Sequence, residues 1–576
     1  MKFKRQPIFL LGLTVSLPLF AQVQPEAGSL LQQQKQLEQQ QVPEQKTPII
    51  KEEVKPVTPK AGEVRVHVTA FEIEGDPQAF TKVDLLKVLD GHIGSDMSLG
   101  ELQQAAGLIT NYYRDRGYFL ARAYLPQQDV TSGAIRIAVL EGNLQKDGVK
   151  IEGQKIRLNE SRMVKTIETA SKPETPLTQL GLERGVLLIN DLPGMAVSAN
   201  LAEGKEPGNT SITLDTKEGE ILTGHGTLDN YGSRFTGLYR AVAGLELNDP
   251  LHVGDQATAE FTQSLDGDFK YFRAGYSIPI AYSGLRVGLN AGALSYGVGK
   301  EMASLALKGK AQEMSFDGKY PLIRSQAVNW WIPGTYAQQS LYNESAGVQT
   351  SDKQVSSTVL GTNFDRIDQL GGGGILMGSL SWTHGNLDLS RDAASLSADQ
   401  GAGGAGTNGG FSKTNWSLSR TQRSVNRLTL IAQLSGQIAY KNLDSGQKMS
   451  LGGPTGVRAY PAGEGSGDDG LRATLEARYL AKAGTKMGDW NVIGFWDWGQ
   501  IVQNHDQTGI TMTTPNRYKL SGYGVGLTVG KPGKYDVNFA WAHVLGDNPG
   551  RNATTGANAD GLTDKSRLWV AMHAFF

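Results

Sequence analysis

The sequence predicts a membrane-spanning β-barrel of sixteen strands preceded by two small α/β modules. Three observations carry that prediction. From residue 221 to Phe576 the chain falls into sixteen segments, most of which clearly alternate apolar and polar residues, the period of strands with one apolar face. The connections between the later segments alternate long and short, which is the loop asymmetry of an outer-membrane-type barrel. Residues 64–220 run through the order strand, helix, helix, strand, strand twice, and a repeated period implies repeated units.

Composition narrows the function. The 576 residues carry 56 Lys+Arg against 57 Asp+Glu, a net charge of −1, which excludes a globally basic nucleic-acid binder. The absence of Cys excludes a disulfide scaffold, a thiolate zinc site and a cysteine nucleophile. A mean hydropathy of −0.31 disagrees with a helical membrane protein and suits a barrel, whose strands are only half apolar.

The elements follow in order. Lys2, Lys4 and Arg5 precede an apolar run from Ile8 to Phe20, and Ala21 then stands before Gln22. That pattern reads as a signal peptide over residues 1–21, because the run is short for the roughly 20 residues of a spanning helix. Residues 22–41 are rich in Gln and Leu, good helix formers. Leu30, Leu31 and Leu37 give only a thin apolar stripe, so composition leaves open a helix in polar surroundings and a frayed arm. Residues 42–63 hold Pro43, Pro48, Pro56 and Pro59 and read as an extended linker that reaches roughly 70 Å.

In the first module, residues 64–143, strand alternation through Val68, Phe71 and Ile73 ends at Gly75. Helical patterns follow in 82–89 and 99–116, then strands in 119–125 and 134–140. In the second, residues 144–220, Val149 and Ile151 open a strand, helices are expected in 160–170 and 177–192, and strands in 195–202 and 211–216.

The barrel spans residues 221–576. Leu471, Ala473, Leu475, Ala477 and Tyr479 share one face of a segment, with Arg472, Thr474, Glu476 and Arg478 on the other. In lipid the apolar face turns outward and the charges line the lumen. Connections 390–411, 444–469, 503–518 and 546–564 are long, whereas 425–427 and 531–534 are tight. An even strand count brings both ends of the barrel to the tight-turn side. Gly371–Gly374 is expected to open a strand, and the Gly-rich run 401–406 to lie in a long loop. Neither is followed by the Lys-Ser/Thr of a phosphate loop. The eight His stand in no metal-ligand spacing, no Gly-x-Ser-x-Gly elbow appears, and no cofactor, metal or catalytic residue is expected.

Two motifs stand out in the barrel. Loop 444–469 contains Val457, Arg458, Ala459 and Tyr460 in a Gly-rich setting, and a later strand holds Phe495, Asp497 and Gly499. Trp490, Val492, Trp496 and Trp498 occupy the other face of that strand and belong against lipid or its interface, which turns Asp497 inward. Leu568, Val570, Met572, Ala574 and Phe576 alternate up to the terminal residue.

These residues carry a resemblance. Tyr113–Tyr118 (Tyr-Arg-Asp-Arg-Gly-Tyr), Ala121–Gln128 and Gly133–Gly142 resemble a POTRA domain, a periplasmic module that carries client polypeptides toward an outer-membrane barrel. Val457, Arg458 and Tyr460 resemble the Val-Arg-Gly-Tyr loop of the POTRA-plus-barrel superfamily, with Ala459 in the glycine's place. Phe495, Asp497 and Gly499 match its Phe-x-Asp-x-Gly strand motif, whose Asp is implied to pair with the loop Arg. Val570, Met572 and Phe576 resemble the signal read by barrel assembly machinery. With the signal peptide, the polar helix, the linker and only two modules, the chain resembles the two-partner secretion transporters of haemolysin-activator type. The resemblance implies that the helix plugs the barrel, that the modules sit in the periplasm and capture a client, and that the barrel conducts it. The client would be a large exoprotein: a haemolysin, an adhesin or a contact-dependent inhibition toxin. Partners are then the exoprotein, outer-membrane lipid and the assembly machinery, with no nucleic acid and a monomeric chain. An assembly or insertion factor of the same superfamily, a passive porin and a barrel lipase are the alternatives. The first usually carries three or more modules and no plug, a porin leaves the modules unexplained, and no Ser/His constellation supports a lipase.

Overall fold

The computed structural model describes residues 25–38, 50–51, 65–424 and 427–576. The signal peptide, most of the linker and part of the turn 425–427 lie outside the described residues. Helix α1 (Ala27–Glu38) comes first, and Ile50–Lys51 within the linker form a two-residue strand.

The first module pairs Ala134–Leu140 in parallel with Ala70–Glu74 and antiparallel with Arg122–Tyr124. Helix α2 (Lys82–Lys87) starts where the Thr81 side chain caps it. Helix α3 (Leu99–Arg114) starts at a capping box formed by Ser98 and Glu101, which satisfies two otherwise unpaired backbone donors. Leu85, Ile109, Tyr113, Ile135 and Ile137 fill the core. Glu141 is buried at its edge and accepts from Tyr113 Oη at 2.7 Å and from the Gln78 and Ala79 amides. Burial, with that carboxylate beside it, pushes the Tyr113 hydroxyl well above its ordinary range. Two details differ from expectation. The opening strand breaks after His67, and Arg65–His67 pairs instead with a short strand, Asp96–Ser98.

The second module repeats the plan with α4 (Glu160–Ala170) and α5 (Gln179–Asn190), capped by Asn159 and Thr178. Its sheet runs in the order Ile50–Lys51, Met195–Glu203, Asn209–Glu218, Asn143–Gly153, so the linker contributes an edge strand parallel to Met195–Glu203.

Sixteen antiparallel strands, from Leu222–Asp229 to Ser566–Phe575, then close a barrel in sequence order. Leu360, Leu380, Trp382, Leu475, Phe539 and Leu568 face outward and are exposed, as an apolar girdle in lipid requires. First and last strands pair from His225↔Phe575 to Asp229↔Ala571. The Gly224 and Phe576 backbones extend that ladder by exchanging hydrogen bonds at 2.9 and 3.0 Å. Leu370–Gly372 and Gly373 form a turn rather than a strand opening. Gly371, Gly372 and Gly373 all take positive φ, which glycine adopts at little cost, and the strand starts at Gly374. The long connection after that strand contains helix α6 (Ala393–Gln400), capped by Asp392.

The second module docks on the short-turn end. Arg184 donates to the Ser283 and Pro321 carbonyls at 3.0 and 2.9 Å. Asp191 forms a two-point ion pair with Arg324 at 2.7 and 2.8 Å.

Candidate functional site

The connection between Leu428–Ala439 and Asp469–Thr485 turns back into the barrel. Met449–Ser450 pairs with Ser466–Gly467, and the hairpin beyond is buried: Leu451, Val457, Ala459 and Tyr460 are all at 0% exposure. Gly453, Gly463 and Gly465 take positive φ within it, which lets the backbone double back tightly.

Arg458 reaches the barrel wall. Its Nε and Nη2 donate to Asp497 Oδ2 and Oδ1 at 2.8 and 2.9 Å, and its backbone N–H also donates to Oδ2 at 3.2 Å. The planar guanidinium matches a carboxylate in this two-point geometry. Its Nη1 donates to Glu476 Oε2 at 3.0 Å. The guanidinium stacks 3.4 Å from the Phe495 ring centroid, a contact worth about 2 kcal/mol when desolvated. Thr474 Oγ1 donates to Asp497 at 3.0 Å, and Trp569 Nε1 donates to the Arg458 carbonyl at 2.7 Å.

The remaining motif positions are steric. Ala459 has no positive φ, so the residue that replaces glycine is unstrained. Its methyl group is accommodated by Gly522, where an added Cβ would stand 2.5 Å from the Ala459 Cβ. Gly499 makes room for Leu451, and Gly524 for the Phe495 ring, against which an added Cβ would stand at 2.7 and 2.3 Å. The structure thus brings Val457, Arg458, Ala459 and Tyr460 together with Phe495, Asp497 and Gly499. Val570, Met572 and Phe576 lie apart, along the last strand and its end at the barrel seam.

Helix α1 lies in the lumen. Leu30 and Leu31 pack in an apolar cluster with Tyr271, Leu294 and Leu341. Its polar side chains bind the wall: Arg240 Nη1 donates to Gln34 at 3.0 Å, Arg273 to Glu38 at 2.8 Å, and Lys35 pairs with Glu313. Asn343 Oδ1 accepts from the Ala27 amide at 3.0 Å. Helix and hairpin meet at the base of the loop, where Glu26 accepts from Ser445 Oγ at 2.6 Å and from Lys353 Nζ at 3.1 Å. Lys353 also donates to Asp444 at 2.7 Å. Twelve residues rise about 18 Å. Below the helix a cavity of about 1970 Å³ opens toward Asp191 and Pro193 of the second module.

Sequence reasoning missed Glu476 as the second carboxylate on Arg458, and Thr474, Trp569, Gly522 and Gly524 altogether. The inward face of Glu476 was legible. Its registry with Asp497, set by Thr474↔Asp497 and Glu476↔Phe495, was not.

Known proteins resemble the chain in sequence and in fold. The chain is similar to the heme/hemopexin transporter protein HuxB of Haemophilus influenzae, 27% identical over 98% of this chain and 97% of that one. It is 24% identical to the outer membrane transporter CdiB of Dickeya dadantii over 76% of each. Among solved structures, CdiB from Escherichia coli superposes with a TM-score of 0.75 over 97% of this chain and 100% of that chain, at 21% identity. A POTRA model of ShlB type matches residues 66–142. A model described as haemolysin secretion/activation protein ShlB/FhaC/HecB matches residues 208–529, more than half of the sequence, and the chain belongs to that family.

Proposed function

We propose that this protein exports one large partner polypeptide through its barrel, with the two modules in the periplasm receiving the client and with no chemical step of its own. The observation that carries the reading is the double closure of the lumen by elements that belong to the chain itself. Helix α1 is held by reversible polar contacts, and the hairpin is clamped at Arg458 to Asp497 and Glu476. A passive porin has no use for a polar helix tethered to two docking modules, and an insertion factor has no use for a plug.

In this reading the helix leaves and the hairpin stays. Beyond the apolar packing of Leu30 and Leu31, the helix is held by separate hydrogen bonds and ion pairs, each worth little net free energy. The Arg458 clamp is buried and two-pointed. The modules offer sheet edges to which an extended client adds by backbone hydrogen bonds, a mode that accepts many sequences. The relatives that align along nearly the whole chain are named heme/hemopexin transporters, so an exoprotein that handles haem or hemopexin is the first client to test, ahead of an inhibition toxin. Co-expression with such an exoprotein should give secretion into the medium. Deleting residues 64–142 should abolish that secretion and leave a folded barrel. Full secretion from the deletion would refute capture by the first module.

A further inference from the structure

The lumen has two chemically different sides. Strands Val348–Asp368, Gly374–Asp388, Gly409–Arg423 and Leu428–Ala439 are neighbours, and in mid-lumen their inward side chains are uncharged and mostly Ser, Asn and Gln, with Met377 and Ile431 toward the short turns. Asn363, Ser379, Ser417 and Ser435 stand directly across from one another as one row. Ser379 and Ser417 share a hydrogen bond at 2.6 Å, and in the next row Asn415 donates to Gln437 at 2.8 Å. All of them line the 1970 Å³ cavity. The outward neighbours Leu360, Leu380, Leu418 and Leu434 are exposed apolar residues, which fixes the facing of the hydroxyl rows. Along the cavity no Asp, Glu, Lys or Arg interrupts these rows. Asp365 bounds them toward the short turns. Lys413 bounds them above and is occupied by the Gln447 carbonyl at 2.7 Å.

The other side is charged. Glu313, Asp317 and Lys319 face the same cavity from one flank, and Arg472, Glu476 and Arg478 from the other. Helix α1 and the hairpin lean on these charged sectors through Glu313, Arg273 and Glu476, while the base of the hairpin also rests on the upper end of the stripe, where Gln437 donates to the Gln447 and Asp468 carbonyls at 3.1 and 2.9 Å. The second module is anchored beneath the first flank, at Ser283, Pro321 and Arg324.

We infer that the hydroxyl- and amide-lined stripe is the track on which an unfolded polypeptide slides through the barrel. This rests on the transport reading. A wall of fixed charges holds any client segment of opposite sign and repels one of the same sign, and in a narrow lumen these interactions are strengthened. Hydroxyls and amides instead offer donors and acceptors to a passing backbone whatever its side chains, and one contact replaces the next at little net cost. The stripe therefore suits a client of mixed sequence. The charged sectors hold the plug and hairpin in place beside it.

The chain has no cysteine, so single cysteines can each carry a benzophenone without background. Ser379→Cys, Ser417→Cys and Ser435→Cys report the stripe, Ser315→Cys and Thr335→Cys the charged flank, and Leu380→Cys the lipid face. The probe is an unfolded Gly/Ser/Asn-rich peptide added to full-length protein in lipid vesicles. Photolysis should capture it at the stripe roughly tenfold more than at the charged flank, the bias that about one net hydrogen bond confers. Equal or greater yield at Ser315→Cys and Thr335→Cys overturns the track and leaves transport standing. Yield no higher than at Leu380→Cys for every lumen position overturns both. In a second arm, Ser379→Glu with Ser417→Glu should cut capture of an oligoglutamate peptide at Ser435→Cys by roughly tenfold and spare the neutral peptide. Unchanged capture of both counts against the track.

Discussion

The Arg458 side chain makes three hydrogen bonds to two carboxylates and has an aromatic ring beneath it. Removing one partner of such a buried pair costs about 3–5 kcal/mol, much of it from the charge left behind. Arg458→Ala should therefore release the hairpin and cut secretion severely while the barrel still inserts. Asp497→Ala should be milder, because Glu476 still holds the guanidinium. The double substitution should be no worse than Arg458→Ala, since coupled residues lose their shared interaction once. Secretion measured across the four-way cycle checks this, and two defects that simply multiply would argue against direct pairing. Ala459 and Gly522 give a steric counterpart. Gly522→Ala forces two methyl groups to 2.5 Å and should lower secretion, and Ala459→Gly in the same chain should restore it. Failure of the second change to rescue would place the defect elsewhere.

At the scale of elements, the sixteen strands were legible because a strand in a barrel wall writes its two faces into alternate residues. Leu471 to Tyr479 against Arg472 to Arg478 needed no tertiary information. What was not legible lacked such a pattern. Helix α6 has no apolar face and rests on a cap at Asp392, and Asp96–Ser98 is too short to alternate. The Arg458 site was half legible. Its two motifs stand in sequence, while Glu476 joins them only through the registry of adjacent strands. Helix α1 was the hardest to place, because a polar helix and a frayed arm have the same composition, and its partners on the wall, Arg240, Arg273, Glu313 and the apolar cluster around Leu30 and Leu31, decide between them. That placement has a consequence. Deleting residues 26–41 should raise single-channel conductance several-fold in planar bilayers while some secretion persists. Joining Gln34→Cys to Thr262→Cys with a short reducible cross-linker, at a pair whose side chains meet at 3.4 Å, should block secretion until reductant is added. Unchanged conductance in the deletion would leave the hairpin as the sole closure of the pore.

At the scale of the whole molecule, stability and location have one origin. A closed barrel pairs every strand and leaves no edge, and in lipid such closure is obligatory because unpaired backbone groups there cost several kcal/mol each. Closure here is weakest at the seam. The first strand, Leu222–Asp229, is short, and its ladder with the last strand covers only His225 to Asp229. The chain end supplements it. Phe576 exchanges two backbone hydrogen bonds with Gly224, and its ring lies where a Gly224 Cβ would be, 2.6 Å away. Asn230 holds the Leu568 carbonyl and the Val570 amide across the same seam at 2.8 Å each. The protein should fractionate with the outer membrane and migrate faster unheated than boiled on a detergent gel. Deleting Phe576 removes both terminal backbone bonds, and Asn230→Ala removes two more. Each change should lower the temperature at which the fast form converts to the slow one, and the two together should lower it further. Since the seam alone is touched, the hairpin and the modules stay in place in whatever fraction assembles. A conversion temperature unmoved by both changes would show that the barrel is held shut elsewhere, and recovery of the intact chain in the soluble periplasmic fraction would end the barrel reading.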